Sequence, residues 1–199
     1  MRRMQFFDVR RVEVRGAKYR QAADIVTALE LPDTPSVFDD LGALEERLRR
    51  LPGIAEAQVG RRLPGTLEVT VREVEPVALA QSRAGLVAVD ESGRPLPYDL
   101  TLAPVDVPLI GRANPVLVQA LAALRTASGG LYASASAAWL RSRELVLDVG
   151  DGLIRLDTPV ADSVLDAIGA VRRDLAQHGI AWSEIDARFG AWVVVRNDQ

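Results

Sequence analysis

The chemistry open to this chain is narrow, because its 199 residues include one histidine and no cysteine. A Ser-His-Asp relay would have to use His178, which directly precedes Gly179 at the end of an apolar-periodic stretch. In the last turn of a helix before a glycine cap, an imidazole is favoured by the helix dipole, so we read His178 as structural. Asp39-Asp40 and Glu45-Glu46 have the composition of acid/base or metal pairs. The first pair falls in the opening turn of a predicted helix and the second on its outer face, where both are read as solvated charge. Gly129-Gly130 and Gly150-Asp151-Gly152 do not sit between a strand and a helix, as a phosphate-binding loop must. Without cysteine there is no thiolate zinc site, iron–sulfur cluster, thiol nucleophile or disulfide, and without a Gly-Lys pair there is no P-loop. The sequence therefore assigns no catalytic residue, no metal ligand and no cofactor.

Charge gives little more. Lys18 is the only lysine, and every other cation is an arginine in a chain of net charge -3, a pattern of composition and not a guanidinium site. Arg2, Arg3, Arg10, Arg11, Arg15, Lys18 and Arg20 make the first twenty residues basic. Such a segment suits nucleic acid or anionic lipid. With an acidic remainder and no nucleic-acid motif, a solvated strand face or a membrane-proximal flank is the preferred reading.

The elements that would position any site come from periodicity. Phe7 to Arg15 reads as a strand with a bulge at Arg10-Arg11, followed by a short helix over Gln21 to Leu29. Ser36 to Asp39 resembles a capping box that opens a helix with an apolar face of Phe38, Leu41, Leu44, Leu48 and Leu51. Strands over Ile54 to Arg61 and Thr66 to Arg72 flank a Pro64-Gly65 turn and complete a β-α-α-β-β unit. Glu75-Pro76 marks its boundary.

Short strands at 77–80 and 86–89 come next, and then a stretch from Pro95 to Pro108 whose prolines argue against central strands. Asn114-Pro115 opens a helix with Leu117, Leu121 and Leu124 inward, ended by Ser128-Gly129-Gly130. A hairpin joins 145–149 to 153–156, and Thr158-Pro159 caps a last helix facing inward through Val164, Ile168, Val171 and Leu175. The chain closes on a single strand from Trp182 to Arg196, either central and buried on both faces or an edge offered to a partner. At 48% apolar residues the chain can fill one large or two small cores, and no stretch approaches the roughly 20 apolar residues of a membrane span.

Taken together, the segments resemble the extracytoplasmic region of the bacterial cell-division family FtsQ, called DivIB in Gram-positive bacteria. Phe7-Asp-Val-Arg-Arg-Val-Glu-Val-Arg-Gly16 is similar to the opening strand of its POTRA domain, and Leu51 to Arg61 with Arg62 to Ala78 to its most recognisable stretch. Leu86 to Asp90 with Gly93, Val107 to Gly111, the hairpin from Leu145 to Leu156, and Ile185-Asp-Ala-Arg188 are similar to the β domain that follows POTRA in this family.

The resemblance implies an α+β fold: a POTRA domain over 7–74, then a β domain over 75–196 built as a twisted antiparallel sheet with flanking helices. It implies a non-enzymatic divisome scaffold at the septum, on the periplasmic side of the inner membrane, binding FtsB-like and FtsL-like partners and other division proteins through POTRA. The membrane anchor it implies is not found ahead of Phe7. The alternative is a POTRA-bearing accessory of outer-membrane assembly or secretion. The resemblance also places a partner-binding edge at Arg188, Phe189, Gly190, Ala191, Trp192 and Val193, with Phe189 as aromatic anchor. Trp192 either adds a second anchor or packs inward. Arg141 stands near the family's arginine that pairs with an acidic partner side chain.

Overall fold

The computed structural model describes residues 7–190 and 192–197. They form two compact units, one comprising the chain up to Glu75 together with Leu96–Pro104, the other Pro76–Pro95 with the chain from Val105 onward.

The first unit runs β1 (Arg11–Arg15), α1 (Ala22–Ala28), α2 (Leu41–Arg49), β2 (Ile54–Arg62) and β3 (Thr66–Glu73), the β-α-α-β-β order read from the sequence. Its sheet has the order β1-β3-β2, with β1 parallel and β2 antiparallel to β3. Leu67, Val69 and Val71 of β3 alternate inward against Ile25, Leu29, Leu44 and Leu48 of the helical layer. The bulge expected at Arg10-Arg11 is present, since both N–H groups donate to the single carbonyl of Gly65, at 2.8 and 3.2 Å.

The second helix departs from expectation. It starts at Leu41, capped by Asp40, whose carboxylate accepts from the N–H groups of Gly42 and Ala43. Ser36 and Asp39 make only half of a capping box: the Ser36 N–H donates to the Asp39 carboxylate at 2.9 Å, but the Ser36 hydroxyl accepts from the Phe38 N–H at 3.2 Å and not from Asp39, and these bonds close a turn ahead of the helix. Phe38 is thereby taken off the buried face and left 57% exposed.

The second unit is one eight-stranded sheet of order β11-β10-β9-β8-β7-β6-β4-β5. Its strands are β4 (Ala78–Ser82), β5 (Gly85–Val89), β6 (Leu109–Ile110), β7 (Ala137–Arg141), β8 (Glu144–Asp148), β9 (Leu153–Asp157), β10 (Glu184–Phe189) and β11 (Trp192–Arg196). Helices α3 (Pro115–Ala127), α4 (Gly129–Ser134) and α5 (Asp162–His178) share one core with it, through Leu117, Leu121 and Leu124, through Leu131 and Tyr132, and through Leu165, Ile168 and Leu175. The sheet is mixed, not wholly antiparallel. β4–β6, β6–β7 and β9–β10 are parallel because helical or looped crossovers return the chain in the same direction.

Two further readings are corrected, and one holds. The stretch from Pro95 to Pro108 contributes no strand to the sheet, as expected; β6 starts directly after it at Leu109, and Pro108 supplies its carbonyl to the Leu79 N–H at 3.0 Å, which a proline can do although it has no N–H to give. Thr158-Pro159 does not cap α5, since Ala161 is the N-cap residue and the Thr158 hydroxyl donates to the Arg143 carbonyl. The terminal segment is a hairpin and not one strand. Gly190 turns it at φ +65°, a left-handed conformation that an L side chain strains, and β11 folds back antiparallel on β10. β10 is therefore internal and β11 is the edge, so each of the two alternatives left open for this segment describes one of its halves.

Candidate partner-binding site at the end of the terminal sheet

Alternation along β10 gives the site its two faces. Ile185 and Ala187 enter the core, while Glu184, Asp186 and Arg188 stand on the opposite face. On β11, Val193 and Val195 pack toward the core, leaving Trp192, Val194 and Arg196 on the outer face. The register slips between Asp186 and Phe189, so that Phe189 pairs with Trp192 across the turn. Phe189 is 54% and Trp192 77% exposed, which decides the open question about Trp192: it does not pack inward.

The outer face carries a continuous ladder of ion pairs. Arg188 donates from Nε and Nη2 to the carboxylate of Asp186 at 2.8 and 2.6 Å, and its Nη1 lies 3.5 Å from Glu144 on β8. Arg155 on β9 bridges Glu144 and Glu184, and Arg196 on β11 pairs with Glu184. Asp186 is fully buried, and its carboxyl is held below the usual aspartate range by the Arg188 hydrogen bonds, against the opposing effect of burial. Glu144 is held low in the same way by Arg155. The Arg188 guanidinium is thus committed within the sheet.

Arg141 is different. It is exposed at the end of β7, opposite Glu144 in the β7–β8 ladder, and its charge helps to hold the Glu144 carboxyl low. The structure therefore places Arg141, Arg188, Phe189 and Trp192 at one end of the same sheet, with Glu144 between the two arginines. Val193 lies half-buried beside them, Gly190 makes the turn, and Ala191 lies outside the described residues. Sequence reading missed Glu144, Arg155 and Glu184 as partners. The one available signal was Asp186-x-Arg188, two opposite charges that a strand places on the same face.

The other candidates resolve into local roles. His178 ends α5 with Nδ1 2.9 Å from the Asp174 carbonyl and 3.3 Å from its carboxylate, one turn back. Asp39 and Asp40 serve the turn and the helix cap described above, and Glu45, expected to be solvated, accepts the Val59 N–H of β2 at 2.9 Å. Among the described residues no group of three or more His, Asp or Glu side chains is placed to hold a metal ion.

Comparison with known proteins bears on this arrangement. The family described as POTRA domain, FtsQ-type, matches residues 7–73, the stretch that forms β1 to β3. The chain is FtsQ-like. It is 35% identical to the cell division protein FtsQ of Zymomonas mobilis over 74% of this chain and 48% of that protein. Against FtsQ of Cereibacter sphaeroides it is 33% identical over 85% of this chain and 55% of the relative, and against FtsQ of Myxococcus fulvus 28% identical over 96% and 74%. The chain thus spans about half the length of the first two FtsQ relatives. Residues 7–73, the larger part of the first unit, match the FtsQ-type POTRA domain, and the fold is α+β as expected for it. Among the described residues no helix is long and apolar enough to cross a membrane.

Proposed function

We propose that the chain is a non-enzymatic scaffold of the bacterial divisome, acting on the periplasmic side of the inner membrane, whose second unit takes up a segment of an FtsB-like partner on the free edge of β11. The observation that carries this reading is the position of β11 at the end of the sheet order, paired only with β10, with Phe189 and Trp192 exposed at its turn. An edge strand supplies unpaired N–H and C=O groups for an incoming strand, and the two aromatic rings supply apolar anchors. The names of the relatives favour cell division over outer-membrane assembly or secretion.

Geometry constrains the partner. β7 lies four strands from β11, roughly 19 Å at the usual strand spacing. A partner that pairs with β11 and also presents an acidic side chain to Arg141 must therefore continue past its strand across the sheet end. Arg188, already held by Asp186, orients the turn and shields the buried carboxylate; Arg141 is the cation that meets the partner's charge. FtsL-like proteins would join through the captured partner, and further division proteins through POTRA.

The test is capture of the cognate FtsB-like protein by the chain carrying Phe189→Ala, Trp192→Ala, Arg141→Glu, Val193→Pro or Val194→Pro. Consecutive N–H groups of a strand point to opposite sides, so one of the two prolines leaves the β10 ladder intact and removes only an outward donor. That variant should melt like the parent and lose binding, as should Phe189→Ala. Unchanged capture by both would place the partner elsewhere.

A further inference from the structure

We infer that the end of the first unit where the chain enters it is a docking surface for an anionic lipid bilayer. Three segments converge there. Val9 N–H donates to the Pro35 carbonyl at 2.9 Å, Val37 N–H to the Phe7 carbonyl at 3.0 Å, and the Gly65 carbonyl takes the N–H groups of Arg10 and Arg11. The entry segment, the 35–39 turn and the β2–β3 turn are thus bound together, and each brings an apolar or cationic side chain to the surface.

Phe38 is 57% and Leu63 56% exposed, two of the larger apolar side chains on the surface. Phe38 stands edge-on to Phe7, with centroids 5.1 Å apart, and the Arg61 guanidinium lies 5.8 Å from its ring centre. Leu63 follows Arg61 by two residues. Arg11, Thr66 and Arg62 occupy one cross-strand row at the same end, and the side chains of Arg11 and Arg62 are 71% and 51% exposed. Of the carboxylates nearby, Asp39 accepts the Ser36 N–H, and Glu13 and Glu68, paired with each other two rows further along the sheet, meet Arg11 and Arg62, Glu13 both of them and Glu68 the latter at 3.4 Å; Asp8 is half-buried, and Arg61, against the Phe38 ring, is the cation left to a headgroup.

The size and form of the patch select the occupant. Two half-exposed side chains present on the order of 200 Å² of apolar surface, against about 800 Å² per partner in a stable protein interface. They project from two turns and not from a flat face, which suits shallow insertion among headgroups while the guanidiniums meet lipid phosphates. The ligand is therefore a phospholipid surface rich in anionic headgroups, bound by the folded unit itself.

The test is co-sedimentation of the full chain with vesicles of phosphatidylglycerol and phosphatidylcholine in equal parts, against pure phosphatidylcholine, at low ionic strength. Binding is expected only to the anionic vesicles and should weaken with salt as the Debye length shortens. Arg61→Glu should lower the partition coefficient by at least about fivefold, the usual worth of one cation at such a surface. The double variant Phe38→Ser, Leu63→Ser should lower it as well, with an unchanged thermal transition. Leu86→Ser and Arg143→Glu, exposed in the second unit, should leave it unaltered. A chain that remains in the supernatant with anionic vesicles overturns the inference, as does equal loss in the second-unit variants. No vesicle binding, joined to self-association in the ultracentrifuge that Phe38→Ser, Leu63→Ser abolishes, would assign the patch to a second copy of the chain and overturn it too.

Discussion

Tyr98 stacks on Tyr19, ring centroids 4.9 Å apart and planes inclined by 21°, although the two residues stand far apart in the sequence. The Tyr98 hydroxyl lies 2.8 Å from the Gly53 carbonyl and 2.7 Å from that of Val74, and the Asp99 N–H donates to the Tyr19 carbonyl. A Cβ on Gly53 would fall 2.8 Å from the Tyr98 ring, so that glycine is what lets the ring lie against the backbone. Residues 96–104 therefore act as a strap that completes the first unit, and a fragment cut at residue 74 loses it.

From the strap follows a graded loss. Tyr98→Phe removes a hydroxyl hydrogen bond and should cost about 1 kcal/mol, whereas Tyr98→Ala also removes the stack and should cost about 3–5 kcal/mol. Amide exchange at Tyr19 and Val74 should accelerate while that of β8 stays slow. We propose that 7–74 still folds alone, with a lower melting temperature than a version to which 96–104 has been joined. Equal melting temperatures would mean the strap is passive.

The same strap gives an alkaline signature. Burial and the nearby Glu73 charge push the Tyr98 phenol above its ordinary value of 10.0. A group whose folded pKa is raised contributes stability that is complete below the unfolded value and lost as pH rises beyond it. Chemical denaturation should therefore show falling stability above about pH 10, and Tyr98→Phe should flatten that limb. An identical limb in the variant would assign the loss to other groups.

At the acid end the sign reverses. Asp186 and Glu144 are held below their ordinary values of 3.8 and 4.5, by hydrogen bonds from Arg188 and Arg155 respectively. Their contribution is present above those values and disappears as pH falls through the lower folded ones. Unfolding of the second unit should be steepest in acid below about pH 4, and Asp186→Asn should both reduce that slope and cost about 3 kcal/mol at neutral pH, because Arg188 loses its main partner. Denaturant midpoints measured across pH for parent and variant decide this.

How much of this was legible depends on where each signal resides. β3 could be read because Leu67, Val69 and Val71 alternate without interruption, and α3 because Asn114-Pro115 is a start signal whose side chain does accept from Val116 and Leu117. β7 was missed because Ala137-Ala138-Trp139-Leu140 has a single β-prone residue, Trp139, and no apolar/polar alternation, and is a strand by virtue of β8 beside it. α4 was missed because Gly129-Gly130 reads as a stop, and the Tyr132 hydroxyl that anchors it donates to the Val77 carbonyl, far away in sequence. Of the site, Phe189 and Trp192 were named from the resemblance. The ladder through Glu144 could not be, because it depends on strand order, which joins β8 to β10 only through β9.

The turn at Gly190 offers the sharpest check on the site. At φ +65° an asparagine is tolerated, because its short polar side chain suits the left-handed region, whereas a β-branched residue is not. Gly190→Asn should cost under about 1 kcal/mol and Gly190→Val about 2 kcal/mol. The cost should be local, seen as faster amide exchange along β11 while β8 and β9 keep theirs. Binding should follow the same order if, as proposed, the edge offered to a partner is β11 as the turn presents it. Phe189→Ala and Trp192→Ala supply the contrast: both rings are more than half exposed, so each should change stability by less than about 0.5 kcal/mol while reducing capture at least tenfold. A Gly190→Val variant that captures the partner as the parent does, with β11 exchange unaltered, would mean that this hairpin is not what sets the edge.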